Sequence, residues 1–173
     1  MNPGTVLDLL VGKPLSQLSW TYPSVLVLGF GALSPHHSEP LRKKSLLEAD
    51  WELDTGGSPW SLVDDMGSTV AAADSFKANV EATVAKLIGS ELEGYDFSND
   101  THDLKLVFSN EWRLRLQPSV GEDPAGKAYP DVEHWSLAVP RGASTDLGLA
   151  AGFHLVIGPR ARQVSVGSRY FDE

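Results

Sequence analysis

The sequence contains no cysteine among its 173 residues. This absence excludes disulfide bonds, zinc–thiolate sites and a thiol nucleophile. The chain also has no apolar run approaching the roughly 20 residues that a transmembrane helix needs. Residues 1–4 lack the basic and apolar regions that open a signal peptide. We therefore expect no membrane association and a cytoplasmic protein that folds without covalent cross-links.

Catalytic and metal-binding signatures are missing as well. There is no Gly-x-Ser-x-Gly elbow and no His-Glu-x-x-His motif, and the spacing of the histidines fixes no ligand geometry. We predict no catalytic residue, no metal and no cofactor. One alternative stays open, in which His102, Glu133 and His134 lie near a pocket between two halves of the chain. Such a pocket would indicate an enzyme or a small-molecule-binding protein.

Basic residues are few relative to acidic ones. The chain has 14 Lys and Arg against 23 Asp and Glu, a formal net charge of -9. Most of the excess lies in residues 1–100, which hold 14 acidic and 6 basic side chains. Such a charge disfavours nucleic acid, whose phosphates would be repelled, and accelerates encounter with a basic protein. The simpler interpretation is that the acidic residues only keep the protein soluble.

Residues 74–117 predict one helix followed by an antiparallel sheet. Asp74 or Ser75 is a suitable N-cap, and Gly89 is a suitable C-terminal stop. The helix is indicated by apolar residues at helical spacing, namely Phe76, Val80, Val84, Leu87 and Ile88. The strands are indicated by alternating apolar residues, namely Leu104, Leu106, Phe108, Trp112, Leu114 and Leu116. We predict an α+β fold, an antiparallel β-sheet assembly with two helices.

The N-terminal third of the chain follows a similar plan. Three pairs of segments are alike: residues 10–15 and 87–92, the strands that contain Phe30 and Phe108, and residues 51–53 and 135–137. This similarity predicts an approximate internal repeat within a single compact domain, residues 1–173, made of two related halves at about 1–67 and 68–173. The halves would form either one continuous sheet or two packed sheets.

Several connections are also predicted. Residues 25–31 form an apolar run that indicates a strand covered on both faces, with Gly29 and Gly31 marking a bulge or a close backbone approach. Residues 34–45 read as a polar loop, and residues 64–67 as the lead into the central helix. Residues 118–131 are expected to form a long exposed loop.

The most regular polar pattern lies in residues 46–54. Acidic residues alternate there with Ala49, Trp51 and Leu53, which is typical of a strand with one acidic and one apolar face. Like charges about 6.5–7 Å apart repel, so the pattern costs stability unless cations or a partner offset it. It is either a solvated outer face, one paired internally with Lys43, Lys44, Arg113 or Arg115, or a docking surface. Trp60 is expected to be a partly exposed interface anchor. The predicted partner-binding residues are Glu48, Asp50, Glu52, Asp54, Trp60, Asp64 and Asp65.

These same segments carry a resemblance to known proteins. The matching segments are residues 30–31, 51–54, 59–63, 104–108, 112–116 and 133–137. They resemble small bacterial proteins, many of which are similar to immunity proteins of toxin systems, which bind a toxin domain and block it. The resemblance implies a non-enzymatic cytoplasmic inhibitor that docks a basic toxin domain. A further alternative is a structural protein that self-assembles through exposed strand edges.

Overall fold

The computed structural model describes residues 3–21, 25–36, 39–43, 46–56, 58–75, 77–118, 135–139, 153–158 and 161–166. Within these residues the chain has an α+β fold of short helices and antiparallel strands. The helices are α1 (Pro3–Leu7), α2 (Glu39–Lys43) and α3 (Lys77–Val84). The strands are β1 (Leu15–Thr21), β2 (Val25–Pro35), β3 (Leu47–Asp54), β4 (Trp60–Val63), β5 (Thr69–Ala72), β6 (Leu92–Phe97), β7 (Leu104–Phe108), β8 (Arg113–Leu116), β9 (Trp135–Ala138), β10 (Phe153–Gly158) and β11 (Ala161–Val166).

The strands form two antiparallel sheets, one built from both ends of the chain and the other from its middle, residues 60–116. The six-stranded sheet has the order β1-β2-β3-β9-β10-β11, and the five-stranded sheet has the order β5-β4-β8-β7-β6. Strands β9 to β11 therefore complete the sheet that β1 to β3 begin, while β4 and β5 join the sheet of β6 to β8. The predicted α+β class with antiparallel sheets is confirmed. A division between residues 67 and 68 falls between β4 and β5, which pair with each other.

The core lies between the inner faces of the two sheets. One continuous cluster of buried side chains includes residues from both sheets and from α1 and α3. At its centre the rings of Phe30 and Phe108 stack with centroids 6.4 Å apart. Because burying one Leu or Phe side chain contributes about 1.5–3 kcal/mol, this shared cluster accounts for the association of the sheets.

The junction between α1 and β1 and the junction between α3 and β6 form hydrogen bonds with each other. Helices α1 and α3 each continue into a 3₁₀ turn, and a glycine at positive φ comes soon after it, Gly12 (φ 82°) after α1 and Gly89 (φ 90°) after α3. The Gly12 N–H donates to Leu92 O at 2.7 Å, and the Gly89 N–H donates to Leu15 O at 2.8 Å. The two junctions therefore have the same local geometry, while the internal repeat of the whole chain stays a prediction.

Two predicted segments are corrected by the structure. Residues 64–67 do not lead into the central helix, because Gly67 (φ 83°) closes a turn with its N–H on Asp64 O, and β5 follows. Ile88, assigned to the apolar face of that helix, is 49% exposed. The α-helix ends at Val84 and tightens into a 3₁₀ turn, so the 3.6-residue spacing no longer holds at Ile88.

The β2 region also differs from its prediction. Leu26, Leu28 and Phe30 are fully buried, whereas Val25 and Val27 are only partly buried, so the strand is not equally covered on both faces. The close approach predicted at Gly29 is confirmed, since a Cβ added there would lie 2.6 Å from Ala49 Cβ.

The expected polar loop at residues 34–45 contains the end of β2 and the short helix α2. Apart from Pro118, the loop predicted at residues 118–131 lies outside the described residues. Among the helices that the structure describes, none has the length and apolar character to cross a membrane.

Candidate functional site

Strand β3 carries four carboxylates on the outer side of the six-stranded sheet. We call Glu48, Asp50, Glu52 and Asp54 the acidic face. They alternate with Ala49, Trp51 and Leu53, which are buried on the inner side. The predicted alternation is therefore confirmed. Strand β3 lies between β2 and β9, but β9 pairs with it only at residues 52–54. Glu52 and Asp54 are therefore in the interior of the sheet, and Glu48 and Asp50 lie beyond the end of β9.

Asp50 is held in place by a bulge in β2. The register between β2 and β3 shifts between Phe30 and Leu33, and Gly31 adopts a φ of 88° there. The Ala32 N–H, next in the chain, donates to Asp50 Oδ2 at 2.9 Å. A Cβ added at Gly31 would lie 2.9 Å from the same oxygen, so the bulge fits only glycine. A carboxylate offers about four acceptor sites, and Asp50 keeps capacity for a partner.

The contacts of Asp54 and Glu48 also come from groups near β3. Asp54 Oδ1 accepts the Gly56 N–H at 2.7 Å, and Glu48 Oε2 lies 3.7 Å from His36 Nε2. Hydrogen bonds from backbone N–H groups restrict a carboxylate without neutralising its charge. The acidic face is therefore partly pre-organised.

Internal pairing of the acidic face with Arg113 and Arg115 was one sequence-based expectation, and it is wrong. Both arginines lie on β8 of the five-stranded sheet, where they alternate with the buried Leu114 and Leu116. The two sheets pack through their inner faces, so the arginines point away from β3. Lys44 lies outside the described residues, and pairing of the acidic face with Lys43, the last residue of α2, stays a prediction.

Exposed leucines lie at the same end of β2 and β3 as Glu48 and Asp50, and the sequence patterns did not single them out. Leu47 and Leu33, the register partner of Ala49, share the side of Ala49, opposite the acidic face. Strand β1 pairs with β2 only up to Phe30, and β9 pairs with β3 only at residues 52–54, so the far ends of β2 and β3 extend beyond both neighbours. We call the described residues between 31 and 50, which include α2, the hairpin arm. Leu33, Leu46 and Leu47 on this arm are 42%, 47% and 45% exposed. Apolar side chains exposed together are typical of interaction surfaces. The sequence feature that could have indicated this surface is the pair Leu46 and Leu47, directly before the alternating acidic residues.

Trp60 is not the exposed anchor that the sequence predicted. It is only 3% exposed, and its ring packs edge-to-face on Trp20 with centroids 5.4 Å apart. The reason is its position in β4, where Trp60 and Leu62 face the core and Ser61 between them faces outward. Trp60 therefore stabilises the fold and is inaccessible to a partner.

Asp64 and Asp65 lie away from β3 in the topology. They occupy the turn between β4 and β5, which belong to the five-stranded sheet. Asp64 Oδ1 accepts the Ser68 N–H at 2.8 Å and thereby closes this turn, while Asp65 is exposed. They are not part of the acidic face.

Of the residues predicted to lie near a pocket between the halves, the structure describes only His102. His102 has a φ of 61°, and its carbonyl oxygen accepts the Trp135 Nε1–H at 3.0 Å. Glu133 and His134 lie outside the described residues. A cleft of about 260 Å³ near the ends of β6 to β8 is lined by charged residues, including Asp96, Asp103, Lys105 and Arg115, but not by His102. Among the described residues, no three His, Asp or Glu side chains are grouped so as to hold a metal ion.

The fold and the site together define an α+β protein with a carboxylate-bearing outer sheet face. Comparison of the chain with protein-family models, with curated proteins and with solved structures finds no match.

Proposed function

We propose that this chain is a non-enzymatic binding protein, an immunity-type cytoplasmic inhibitor whose acidic face docks a basic protein partner such as a toxin domain. The supporting observation is the acidic face itself, four carboxylates along one side of β3, of which Asp50 and Asp54 accept backbone N–H groups. A rigid array of one charge sign favours a rigid surface of the opposite sign.

The electrostatic cost of the acidic face supports this proposal. Neighbouring carboxylates on one side of a strand lie about 7 Å apart and repel by roughly 0.6 kcal/mol in water and about 2 kcal/mol near a protein surface. A bound cationic surface removes this repulsion and replaces it with attraction.

The hairpin arm would supply affinity where the acidic face supplies the encounter rate. Charged groups mainly raise the association rate, whereas buried apolar side chains slow dissociation. Full burial of one leucine contributes about 1.5–3 kcal/mol. Leu33, Leu46 and Leu47 are each more than two-fifths exposed, and Leu33 and Leu47 lie on the side opposite the carboxylates. They therefore favour a basic partner that also has an apolar patch and contacts both sides of the arm.

The test uses a variant that changes charge and preserves the bulge. Asp50→Asn/Glu52→Lys keeps an acceptor for the Ala32 N–H, and Asp74→Asn/Asp100→Lys makes the same change in net charge in exposed turns. Wild type and both variants serve as baits in lysate of the source organism, and the association rate of the captured protein is then measured against salt. We expect wild type and the control to capture the same basic protein. The face variant should bind this protein at least about tenfold more slowly than wild type does, and its association rate should depend less steeply on salt. Equal association rates for the three baits would overturn the proposal.

A second candidate is a small-molecule-binding protein or enzyme with a pocket between the halves. It is favoured by the Trp135–His102 hydrogen bond, because Trp135 directly follows Glu133 and His134 in the chain. Elemental analysis of the purified protein and a thermal-shift screen of small metabolites test it. Copurifying metal, or a thermal shift with a ligand that His102→Ala abolishes, would support this candidate. The absence of both would reject it.

A further inference from the structure

The outward side chains of β3 in one sheet and of β7 and β8 in the other carry opposite charge. On the five-stranded sheet, Arg113 and Arg115 point outward from β8, and Lys105 is the direct neighbour of Arg115 on β7. We call Lys105, Arg113 and Arg115 the basic face. Arg115 is exposed, and Arg113 and Lys105 are partly exposed. Asp96 follows Lys105 in the same cross-strand row and lies 3.0 Å from its Nζ, and Asp103 lines the cleft beside Lys105 and Arg115. The three cations of the basic face thus outnumber these two carboxylates.

The basic and acidic faces occupy corresponding places in the two sheets. Trp51 is the register partner of Phe30, and Trp112 O accepts the Phe108 N–H at 3.0 Å. Counting from these two tryptophans, Glu52 and Asp54 on β3 take the positions that Arg113 and Arg115 take on β8. Each pair alternates with buried leucine, Leu53 in one case and Leu114 in the other.

We propose that a second copy of this chain docks its basic face onto the acidic face of the first. The charges on the two faces have the same spacing, about 6.5–7 Å between alternate residues of a strand, so the carboxylates of one copy meet the cations of the next in register. The contact uses two different surfaces of the chain, which makes it a head-to-tail contact that closes into a ring or extends into a chain of copies.

Local complementarity must overcome repulsion between copies that each carry a net charge of -9. At about 0.15 M ionic strength the Debye length is about 8 Å, which screens the repulsion between whole molecules more than the close contact between faces. Exposed ion pairs contribute little each. The association is therefore weak and rapidly exchanging, strongest at moderate ionic strength and lost at about 1 M salt.

This self-association goes beyond the proposed function, although it uses the same acidic face. A basic partner would compete with the second copy for that face, so partner binding and self-association exclude each other. Self-association requires only the purified chain, so its failure leaves the proposed inhibitor function untouched, and a failure to find a partner leaves self-association untouched.

The experiment uses two variants with one altered face each. Glu52→Lys/Asp54→Asn replaces the two negative charges at positions 52 and 54 with one positive charge and keeps an acceptor for the Gly56 N–H. Arg113→Glu/Arg115→Gln makes the basic face acidic. A control, Asp74→Lys/Asp100→Asn, changes net charge as much as the first variant but in exposed turns outside both sheets. Circular dichroism verifies folding, and sedimentation velocity over a concentration series measures mass at moderate and high salt.

We expect wild type and control to show a mass that rises with concentration and falls to the monomer at high salt. Each face variant alone stays monomeric, because positions 52 and 54 then no longer meet opposite charges at positions 113 and 115. An equimolar mixture of the two regains association through one pair of native faces. Monomeric wild type at every concentration overturns the proposal, whatever the mixture does. Face variants that associate as strongly as wild type overturn it too, since another surface would then be responsible.

Discussion

The rings of Phe30 and Phe108 lie parallel, with centroids 6.4 Å apart and an angle of 4° between their planes. Both side chains are fully buried. Phe30 belongs to the six-stranded sheet and Phe108 to the five-stranded sheet, so this contact joins the two sheets at the centre of the core. An offset parallel pair contributes about 0.5–1.5 kcal/mol beyond the area that it buries.

Phe30→Leu and Phe108→Leu should therefore be coupled. We expect each substitution to lower the free energy of unfolding by about 1–2 kcal/mol, and a double-mutant cycle in urea to give a coupling of about 0.5–1 kcal/mol. The control cycle combines Phe30→Leu with Ile157→Val, on β10, three strands from β2 and thus about 14 Å away. Additive effects in both cycles would contradict a direct interaction between the two rings.

Gly12 and Gly89 should be needed for their backbone conformation rather than for space. Their φ angles are 82° and 90°, and a Cβ added to either would meet nothing within 4 Å. Gly12→Ala and Gly89→Ala should each cost about 1–2 kcal/mol, the penalty of a left-handed conformation. Gly94 is the matched control, since an added Cβ also meets nothing within 4 Å but no positive φ is imposed. Gly94→Ala should be neutral or slightly stabilising in thermal unfolding, and equal losses at all three positions would contradict this reasoning.

The sequence predicted the features that depend on local periodicity. The acidic and apolar sides of β3, the glycine stop of the central helix and the strand alternation around Leu106 and Leu114 all follow from spacing along the chain. Spacing fixes which residues share a side of an element. It does not fix which element covers that side.

The misplaced residues are those whose surroundings come from distant parts of the chain. Trp60 is buried because β4 pairs with β8, more than fifty residues later, and not with its sequence neighbour β3. Because β8 belongs to the five-stranded sheet and β3 to the six-stranded sheet, Arg113 and Arg115 lie far from the acidic strand that they were expected to neutralise. The leucines of the hairpin arm are exposed because β2 and β3 extend beyond the register of β1 and β9, a length mismatch that no local pattern reveals.

Asp50 should combine a structural role with its charge. Removing its side chain would leave the Ala32 N–H at the bulge without this acceptor. Because both residues are exposed and water can replace the carboxylate, Asp50→Ala should lower the free energy of unfolding by about 0.5–1.5 kcal/mol. Asp50→Asn keeps an acceptor oxygen and should lose less than half as much. Chemical denaturation of both variants measures the difference. Equal losses would show that the negative charge, rather than the hydrogen bond, stabilises the bulge.

Tyr95 links α1 to β6 through its hydroxyl group. Its oxygen lies 2.7 Å from Asp8 Oδ1 and 2.9 Å from Gly4 O, two acceptors that share its single proton. Burial, and then the hydrogen bond and negative charge of Asp8, raise the pKa of Tyr95 from 10.0 to about 12. All three causes act in the same direction because each disfavours the phenolate.

The raised pKa of Tyr95 makes stability depend on alkaline pH. A group whose pKa is higher in the folded protein binds its proton more tightly there, so its contribution is complete below about pH 10 and is lost as the pH rises toward about 12. Tyr95→Phe removes this contribution, so the free energy of unfolding of wild type should fall toward that of the variant over this interval. Denaturation of both proteins at several pH values measures the difference, in which titration of all other groups cancels. Asp8→Asn is the matched control and should shift the loss to lower pH, because it weakens two of the three causes. A wild-type advantage that stays constant from neutral pH to about pH 12 would show that the hydroxyl group of Tyr95 does not favour its protonated form in the fold.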